Sequence, residues 1–339
     1  MICYIITFFN LTNIYLKRDI MKQNNYLLNF LKVAFFSLLL IGTSPVRAEI
    51  KVVTTIKPLH SLIANVMDGV GEPSLIIESS TSPHSFTLKP SHAKLLEEAD
   101  LIFWVGEGIE TFMERPFESI VKNAEVVEFM EVDSIEKLKF REESIFDDHD
   151  DHDDHDDHDD HDDHSGHEGH THGEFDAHIW LDPRNAKEMV NEIAYELGDL
   201  DPTNKDKYEA NAEATILALD QLINDVSKDI NKDAKFVVFH DAYQYFEERF
   251  GVRAAGALTL NTDALPGAKQ IDEIQDVIKD RGINCIFSEP QFNPKIISTI
   301  AEDTNIKTGV FDPLGVNINS DKDLYLKLIS NLGKQLKGC

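Results

Sequence analysis

Two groups of four short apolar segments constrain the fold of this 339-residue chain more than any other feature. The segments are rich in Val and Ile, and polar or turn-forming residues bound each one. Continuous apolar runs of this kind are typical of strands that are buried on both faces. They alternate with amphipathic, helix-like segments, an order that predicts parallel strands joined by crossover helices. The segments read IKVVTTI, PSLIIES, DLIFWVG and AEVVEFM in the first group, and KFVVFH, AAGALTL, INCIFSEP and IKTGVFD in the second.

The stretch between the two groups, residues 203–231, predicts one long helix. Apolar residues recur there at intervals of three and four from Tyr208 to Ile230, which marks one face of a helix, and no Gly or Pro interrupts it. Two shorter helices packed in one lobe are the alternative. The predicted fold class is therefore α/β, with two (β/α)4-like lobes at 49–202 and 232–339 and a rigid connecting helix of about 40 Å between them.

Residues 1–48 are predicted to be a leader that contains a signal peptide. From Met21, which is a candidate for the true start, two lysines precede the apolar run VAFFSLLLIG, and VRA follows it. This run is short for a membrane span, so we expect cleavage between Ala48 and Glu49 and export of the mature chain. A membrane anchor or a buried helix is the alternative.

Charge and cysteine content fit an exported binding protein. The formal net charge of −29 argues against nucleic-acid partners and against an anionic membrane surface, because both would repel the chain. Cys3 leaves with the leader. Cys285 and Cys339 remain as an even pair in an oxidising compartment, so we expect a disulfide that ties the C-terminus to an interior strand. Two free thiols are the alternative.

A run of Asp and His residues, 147–173, is the most conspicuous local feature. It has no hydrophobic periodicity, so it is expected to be a disordered surface loop when it carries no ligand. Imidazole and carboxylate groups bind metals, so the run is a candidate accessory collector of zinc. A solvated acidic linker is the alternative. Its candidate ligands are His149, His152, His155, His158, His161, His164, His167, His170 and His172.

A preorganised metal site is expected elsewhere, at the strand ends. His84 follows the second strand, His240 ends KFVVFH, Asp312 ends IKTGVFD, and His178 lies in DAHIWLDP. Ligands of open α/β sheets bind beyond the carboxyl ends of strands. Three imidazoles and one oxygen donor make a tetrahedral zinc shell. For each of them taken singly, the alternative is a polar core residue whose hydrogen bonds are made within the protein.

Two further residues rank below these four. Glu289 lies in FSEP at the end of a predicted strand and is expected to orient a ligand. His60 is predicted to lie at the start of a helix; it is a candidate for a role beside the metal, and capping or packing of the helix is the alternative. Enzyme motifs are absent from the sequence: there is no HExxH, GxSxG, P-loop or GxGxxG on a strand–helix turn. The chain is therefore not expected to be an enzyme. A zinc hydrolase with Glu289 as its general base is the rival hypothesis.

Several blocks carry a family resemblance. TSPHSFTLKPSHAKLLEEADLIFWVGEGIETFM, AHIWLDPRNA, FVVFHDAYQYFEERFGV, PGAKQIDEI, CIFSEPQF and FDPLGVNI occur in this order. Together they resemble the zinc-specific solute-binding subunits of ABC importers, the ZnuA type, over residues 49–339. The resemblance implies two lobes with a metal in the cleft between them. It also implies periplasmic location, delivery of Zn²⁺ to an inner-membrane permease with its ATPase, a monomer, and no catalysis.

The resemblance also implies particular ligands. The family's three cleft histidines correspond to His84, His178 and His240. Related manganese or iron binders carry a carboxylate where His240 stands, so the histidine favours zinc, in agreement with the affinity of imidazole for this metal. Pro83 occupies the position of a Glu ligand in some members, which leaves Asp312 or a water as the fourth donor. The cysteine pair and the His-rich loop also resemble the zinc type. Alternatives are a manganese or iron binder and a periplasmic zinc-storage protein or adhesin.

Overall fold

The computed structural model describes residues 50–146, 174–260, 266–304 and 306–339. The predicted leader and the Asp/His run at 147–173 lie outside the described residues. Within the described ranges, no helix is both long enough and apolar enough to span a bilayer.

Two four-stranded parallel sheets form the framework, which confirms the predicted fold class. The strands are β1 Val52–Thr54, β2 Ser74–Leu75, β3 Leu101–Trp104, β4 Glu125–Glu128, β5 Phe236–His240, β6 Ala257–Thr259, β7 Cys285–Ser288 and β8 Lys307–Val310. Their orders are β2-β1-β3-β4 and β6-β5-β7-β8, and every neighbouring pair is parallel. The central strands β1, β3 and β5 are buried along their whole length, as their continuous apolar sequences predict, and β7 is buried except at Ser288.

Helices follow most of the strands, as crossover connections require. In chain order they are α1 Lys57–Val66, α2 Pro90–Glu98, α3 Glu114–Ser119, α4 Pro183–Leu200, α5 Lys205–Asp229, α6 Gln244–Phe250, α7 Ala268–Asp280, α8 Lys295–Thr304 and α9 Leu324–Leu336.

The long helix α5 is continuous over 25 residues, which corresponds to about 38 Å. The structure therefore has one helix in the stretch predicted at 203–231 rather than two. Its buried positions include Tyr208, Ala212, Leu219 and Val226, on the face that the sequence periodicity indicates. This face packs against α1, α4 and α9.

The last helix, α9, also contacts helices outside the second lobe. It packs against α1 and α5, and the Tyr325 hydroxyl donates to the Trp180 carbonyl at 2.6 Å. The Trp180 indole in turn donates to the Pro313 carbonyl at 2.8 Å. Side-chain hydrogen bonds therefore link the segments that flank the cleft.

The predicted disulfide is confirmed. Cys285, at the start of β7, is bonded to Cys339, 54 residues later in the sequence. Since β7 lies between β5 and β8, the bond ties the C-terminus to an interior strand.

Candidate metal centre

Three histidines reach the same point from three different chain segments. His84 lies in a 3₁₀ turn, Pro83–Ser85, that follows β2. His178 immediately precedes a second 3₁₀ turn, Ile179–Leu181. His240 is the last residue of β5, where the carboxyl end of a parallel strand directs it toward the cleft.

The three imidazoles are close enough to share one ion. One ring nitrogen from each lies within 4.8 Å of the others. The His178 and His240 Nε2 atoms are 3.3 Å apart. Zinc–nitrogen bonds of about 2.0–2.1 Å at a tetrahedral angle place neighbouring ligand nitrogens about 3.3–3.4 Å apart. The observed separation therefore matches two ligands of one tetrahedral Zn²⁺.

A buried carboxylate orients His178. Asp176 is fully buried, and its Oδ1 lies 2.7 Å from His178 Nδ1 and also accepts from the His178 amide at 3.0 Å. Burial raises the pKa of the Asp176 carboxyl to about 7. When this group is ionised it only accepts hydrogen bonds, so Nδ1 then carries the proton and Nε2 presents its lone pair to the centre. Carboxylate–histidine pairs of this kind fix the ring orientation of metal ligands. The sequence reasoning did not select Asp176, although its position two residues before His178 in DAHIW was an available signal.

A second carboxylate stands against His240 in the same way. Glu289, the residue after β7, places Oε1 2.6 Å from His240 Nδ1, and both side chains are buried. The strands β5 and β7 are neighbours, which brings the two ends together. This is the arrangement that the sequence predicted for Glu289, and it leaves His240 Nε2 facing His178.

The two imidazoles have opposite pKa shifts. Burial lowers the pKa of His178 well below its usual value, and the charge of His240 lowers it further. For His240 burial acts in the same direction, but the charge of Glu289 and its hydrogen bond outweigh burial and raise the pKa. His240 therefore competes for protons at higher pH than His178 does.

Asp312 does not join the cluster as predicted. Its Oδ1 accepts from the Leu314 amide at 3.2 Å and lies 3.4 Å from the Gln291 side-chain nitrogen. Among the described residues, the ligand atoms that converge within 4.8 Å come from the three histidines alone. Asp312 directly precedes Pro313, and its carboxylate accepts from the amide two residues on, as aspartates in turns commonly do.

The remaining predicted residues do not add to the centre. His60 Nε2 lies 3.1 Å from the Pro73 carbonyl, so this ring is engaged at the start of β2. The nine histidines predicted as accessory ligands, from His149 to His172, lie outside the described residues.

Apolar side chains surround the cluster on one side. Trp180, Phe292 and Leu314 border a gap of about 10 Å³ next to the three imidazoles, about the volume that one water-sized probe occupies. This gap is therefore the size of one small ion or water, and a larger cavity of about 160 Å³ borders the same three histidines on another side.

Known proteins match this arrangement over most of the chain. The family model described as "ZnuA: Zinc-uptake complex component A periplasmic" matches residues 52–339. The high-affinity zinc uptake system protein ZnuA of Brucella abortus (strain 2308) is 48% identical over 303 residues, covering 85% of this chain and 91% of that protein.

Solved structures agree on the fold. A crystal structure of ZnuA superposes with a TM-score of 0.66 at 21% identity, covering 84% of this chain and 98% of the other. The laminin-binding protein Lmb of Streptococcus agalactiae, described as bifunctional with adhesin and metal-transporting activity, gives a TM-score of 0.65 at 25% identity, with 85% and 99% covered.

Proposed function

Because the chain belongs to the ZnuA family of periplasmic zinc-uptake components, we propose that it captures Zn²⁺ through His84, His178 and His240 and delivers it to an inner-membrane ABC permease. The chain is a transport component rather than an enzyme, and zinc is its cargo. The observation that carries the ligand assignment is the 3.3 Å separation between the Nε2 atoms of His178 and His240. At this distance the two nitrogens share either a proton, carried by His240 Nε2 and donated to His178 Nε2, or a cation that both of them bind.

The ligand set that we propose has three protein donors and a water. Asp312 is held by Leu314 and Gln291, and Pro83 has no donor to offer. Three imidazoles around an open fourth position suit zinc better than manganese, which prefers oxygen donors. The surrounding carboxylates, Asp176 and Glu289, strengthen the imidazoles as donors.

The remaining parts of the proposal concern processing and assembly. We propose cleavage between Ala48 and Glu49 and a monomer in the periplasm that docks onto the permease. The Asp/His run would supply weak, exchangeable zinc sites near the cleft.

Loop deletion tests whether the tight site is independent of the Asp/His run. Removal of residues 147–172 is expected to abolish the additional weak zinc equivalents and to retain one tight equivalent, because the three proposed ligands lie outside the deletion. Calorimetric titration of the mature protein and the deletion variant measures both. Loss of the tight equivalent on deletion would place the main site in the run.

Zinc affinity is expected to weaken progressively as the pH falls, starting above pH 6.5. The raised pKa of His240 means that a proton displaces zinc from this ligand first, at about a tenfold loss of affinity per pH unit. His178, with its lowered pKa, adds to the loss only at lower pH. Dissociation constants measured from pH 8 to pH 5 give this profile.

The variant Glu289→Gln tests whether the charge of Glu289 sets the pH at which zinc affinity begins to fall. Glutamine keeps an acceptor for His240 Nδ1 but removes the negative charge that raises the His240 pKa. The onset of the affinity loss should therefore move to lower pH. An onset that is the same in E289Q and the unmodified protein argues against control by the Glu289–His240 pair.

A further inference from the structure

A segment from the first lobe pairs with the edge of the second sheet. We call residues 138–146 the crossing segment. At its start, the Asp176 amide donates to the Leu138 carbonyl at 2.8 Å. At its end, the Phe146 amide donates to Ala255 at 3.1 Å and the Ala257 amide donates to Ser144 at 2.8 Å. Since β6 is an edge strand, the crossing segment covers its open side.

The sequence of the second lobe accommodates this pairing at Gly256. A Cβ atom at that position would lie only 2.7 Å from the Ser144 carbonyl oxygen. Glycine is therefore required where the crossing segment approaches the backbone most closely.

Arg141 of the crossing segment contacts residues that follow His240 in the sequence. Its Nη1 donates to Asp241 Oδ1 at 2.8 Å, and its Nη2 donates to Glu247 Oε2 at 2.6 Å. The guanidinium carbon also lies 4.1 Å from the centre of the Phe146 ring. Asp241 directly follows His240, and Glu247 lies on α6, which begins three residues later. One side chain of the first lobe thus bonds both to the start of the turn after His240 and to the middle of α6.

Helix α6 continues the connection to His178. Gln244 Nε2 lies 3.3 Å from Asp176 Oδ2, the carboxylate whose other oxygen is bonded to His178. The Tyr245 hydroxyl donates to the Asp176 carbonyl at 2.5 Å and accepts from the Leu138 amide at 2.9 Å. Hydrogen bonds therefore run without interruption from Asp176, through α6, to Arg141.

Arg141 also lies among several buried carboxylates. Four carboxylates are buried behind the two imidazoles, those of Asp176, Asp241, Glu247 and Glu289. The Arg141 side chain is only 19% exposed and contacts two of them directly. Charge-assisted bonds to a planar, forked donor are strong and directional when they are partly shielded from water.

We propose that Arg141 is a positioning residue for the metal centre, which fixes the separation between the His178 and His240 nitrogens by clamping the turn after His240 to the first lobe. This inference rests on the proposed function of the three histidines. Without the clamp, the turn at Asp241 is tied to the first lobe by fewer bonds, and the spacing of the two imidazoles relaxes.

The test compares Arg141→Met and Arg141→Lys with the unmodified mature protein. R141M is expected to weaken zinc binding about tenfold, as loss of an outer-sphere partner does. It should also change the visible absorption bands of bound Co²⁺, which report the geometry of the ligand set. R141K retains the charge but cannot bridge both carboxylates with a planar fork, so it should restore part of the affinity.

Arg281→Met is the matched control. Arg281 also binds the crossing segment, with Nη1 donating to the Phe146 carbonyl at 2.8 Å, but this bond is made at the far end of the segment from the turn after His240. R281M should leave the Co²⁺ spectrum and the zinc affinity unchanged. Equal spectral changes in both variants would overturn specific positioning by Arg141.

The outcomes separate the two proposals. An unchanged zinc affinity and Co²⁺ spectrum in R141M would refute the role of Arg141 and leave the histidine ligands in place. Tight zinc binding that survives removal of the three histidines would instead refute the proposed function. If R141M does not fold, R141K decides, because an R141K protein identical to the unmodified one would overturn the clamp.

Discussion

Replacing His84, His178 and His240 together by alanine is expected to abolish the tight zinc site. Four-ligand zinc sites bind with apparent free energies of about 10–16 kcal/mol, so each ligand contributes roughly 3 kcal/mol or more, or over a hundredfold in affinity. The single variants should therefore each lose at least about a hundredfold. Competition with a chromogenic chelator measures the loss.

Folding should survive these replacements. Alanine removes the contact at 3.3 Å between the Nε2 atoms of His178 and His240 and leaves the buried carboxylates of Asp176 and Glu289 without their imidazole partners, so we expect a native fold with a lower thermal midpoint. A cooperative unfolding transition and an unchanged far-ultraviolet circular dichroism spectrum of the zinc-free triple variant would show that the loss of binding is local. His92→Ala is the control, because His92 lies in the first turn of α2, where its Nδ1 accepts from the Lys89 amide, and is not among the ligand atoms that converge. A triple variant that still binds one tight equivalent would contradict the ligand assignment.

Loss of the disulfide is expected to cause the largest change in stability. Replacing Cys285 and Cys339 together by serine opens a covalent loop whose ends are 54 residues apart. The chain-entropy model assigns about 4 kcal/mol of the free energy of unfolding to a loop of this size, because the crosslink restricts the unfolded chain. Denaturant titration of the zinc-free proteins measures the difference.

Zinc affinity should change little in this double variant. Cys285 begins β7, whereas Glu289 follows its opposite end, so the two sites lie at different edges of the sheet. Unfolding of the unmodified protein with and without a reductant is the control, and reduction should reproduce the loss. Equal stability in all three samples would argue against a stabilising role for the bond.

Local sequence patterns predicted the framework because each pattern has a local physical cause. The continuous apolar run FVVFH marks a strand buried on both faces, and the three- and four-residue spacing from Tyr208 to Val226 marks one side of α5. A glycine- and proline-free stretch also predicted one helix rather than two. Each of these elements can be predicted without knowing which other element of the fold packs against it.

Part of the metal centre was predictable for the same reason. The carboxyl ends of parallel strands meet at one edge of a sheet, so a histidine that ends a strand is directed to the cleft, as His240 is. Glu289 could be placed beside it because its strand also ends there. Asp312 shows the limit of this rule: it follows a strand, but its carboxylate bonds to Leu314 and Gln291 and is not among the ligand atoms that converge within 4.8 Å.

The sequence by itself determined two parallel sheets, one long helix, a cysteine pair and a set of histidines at strand ends, because periodicity and strand polarity are properties of neighbouring residues. Only the tertiary structure decided that three of these histidines share one point, that Asp176 rather than Asp312 supports them, and that Arg141 crosses to the turn after His240. The contacts of His240 with His178 and Glu289, and those of Arg141 with Asp241 and Glu247, join residues 49 to 106 positions apart. Their distances depend on how the two lobes pack, which no local pattern of the chain specifies.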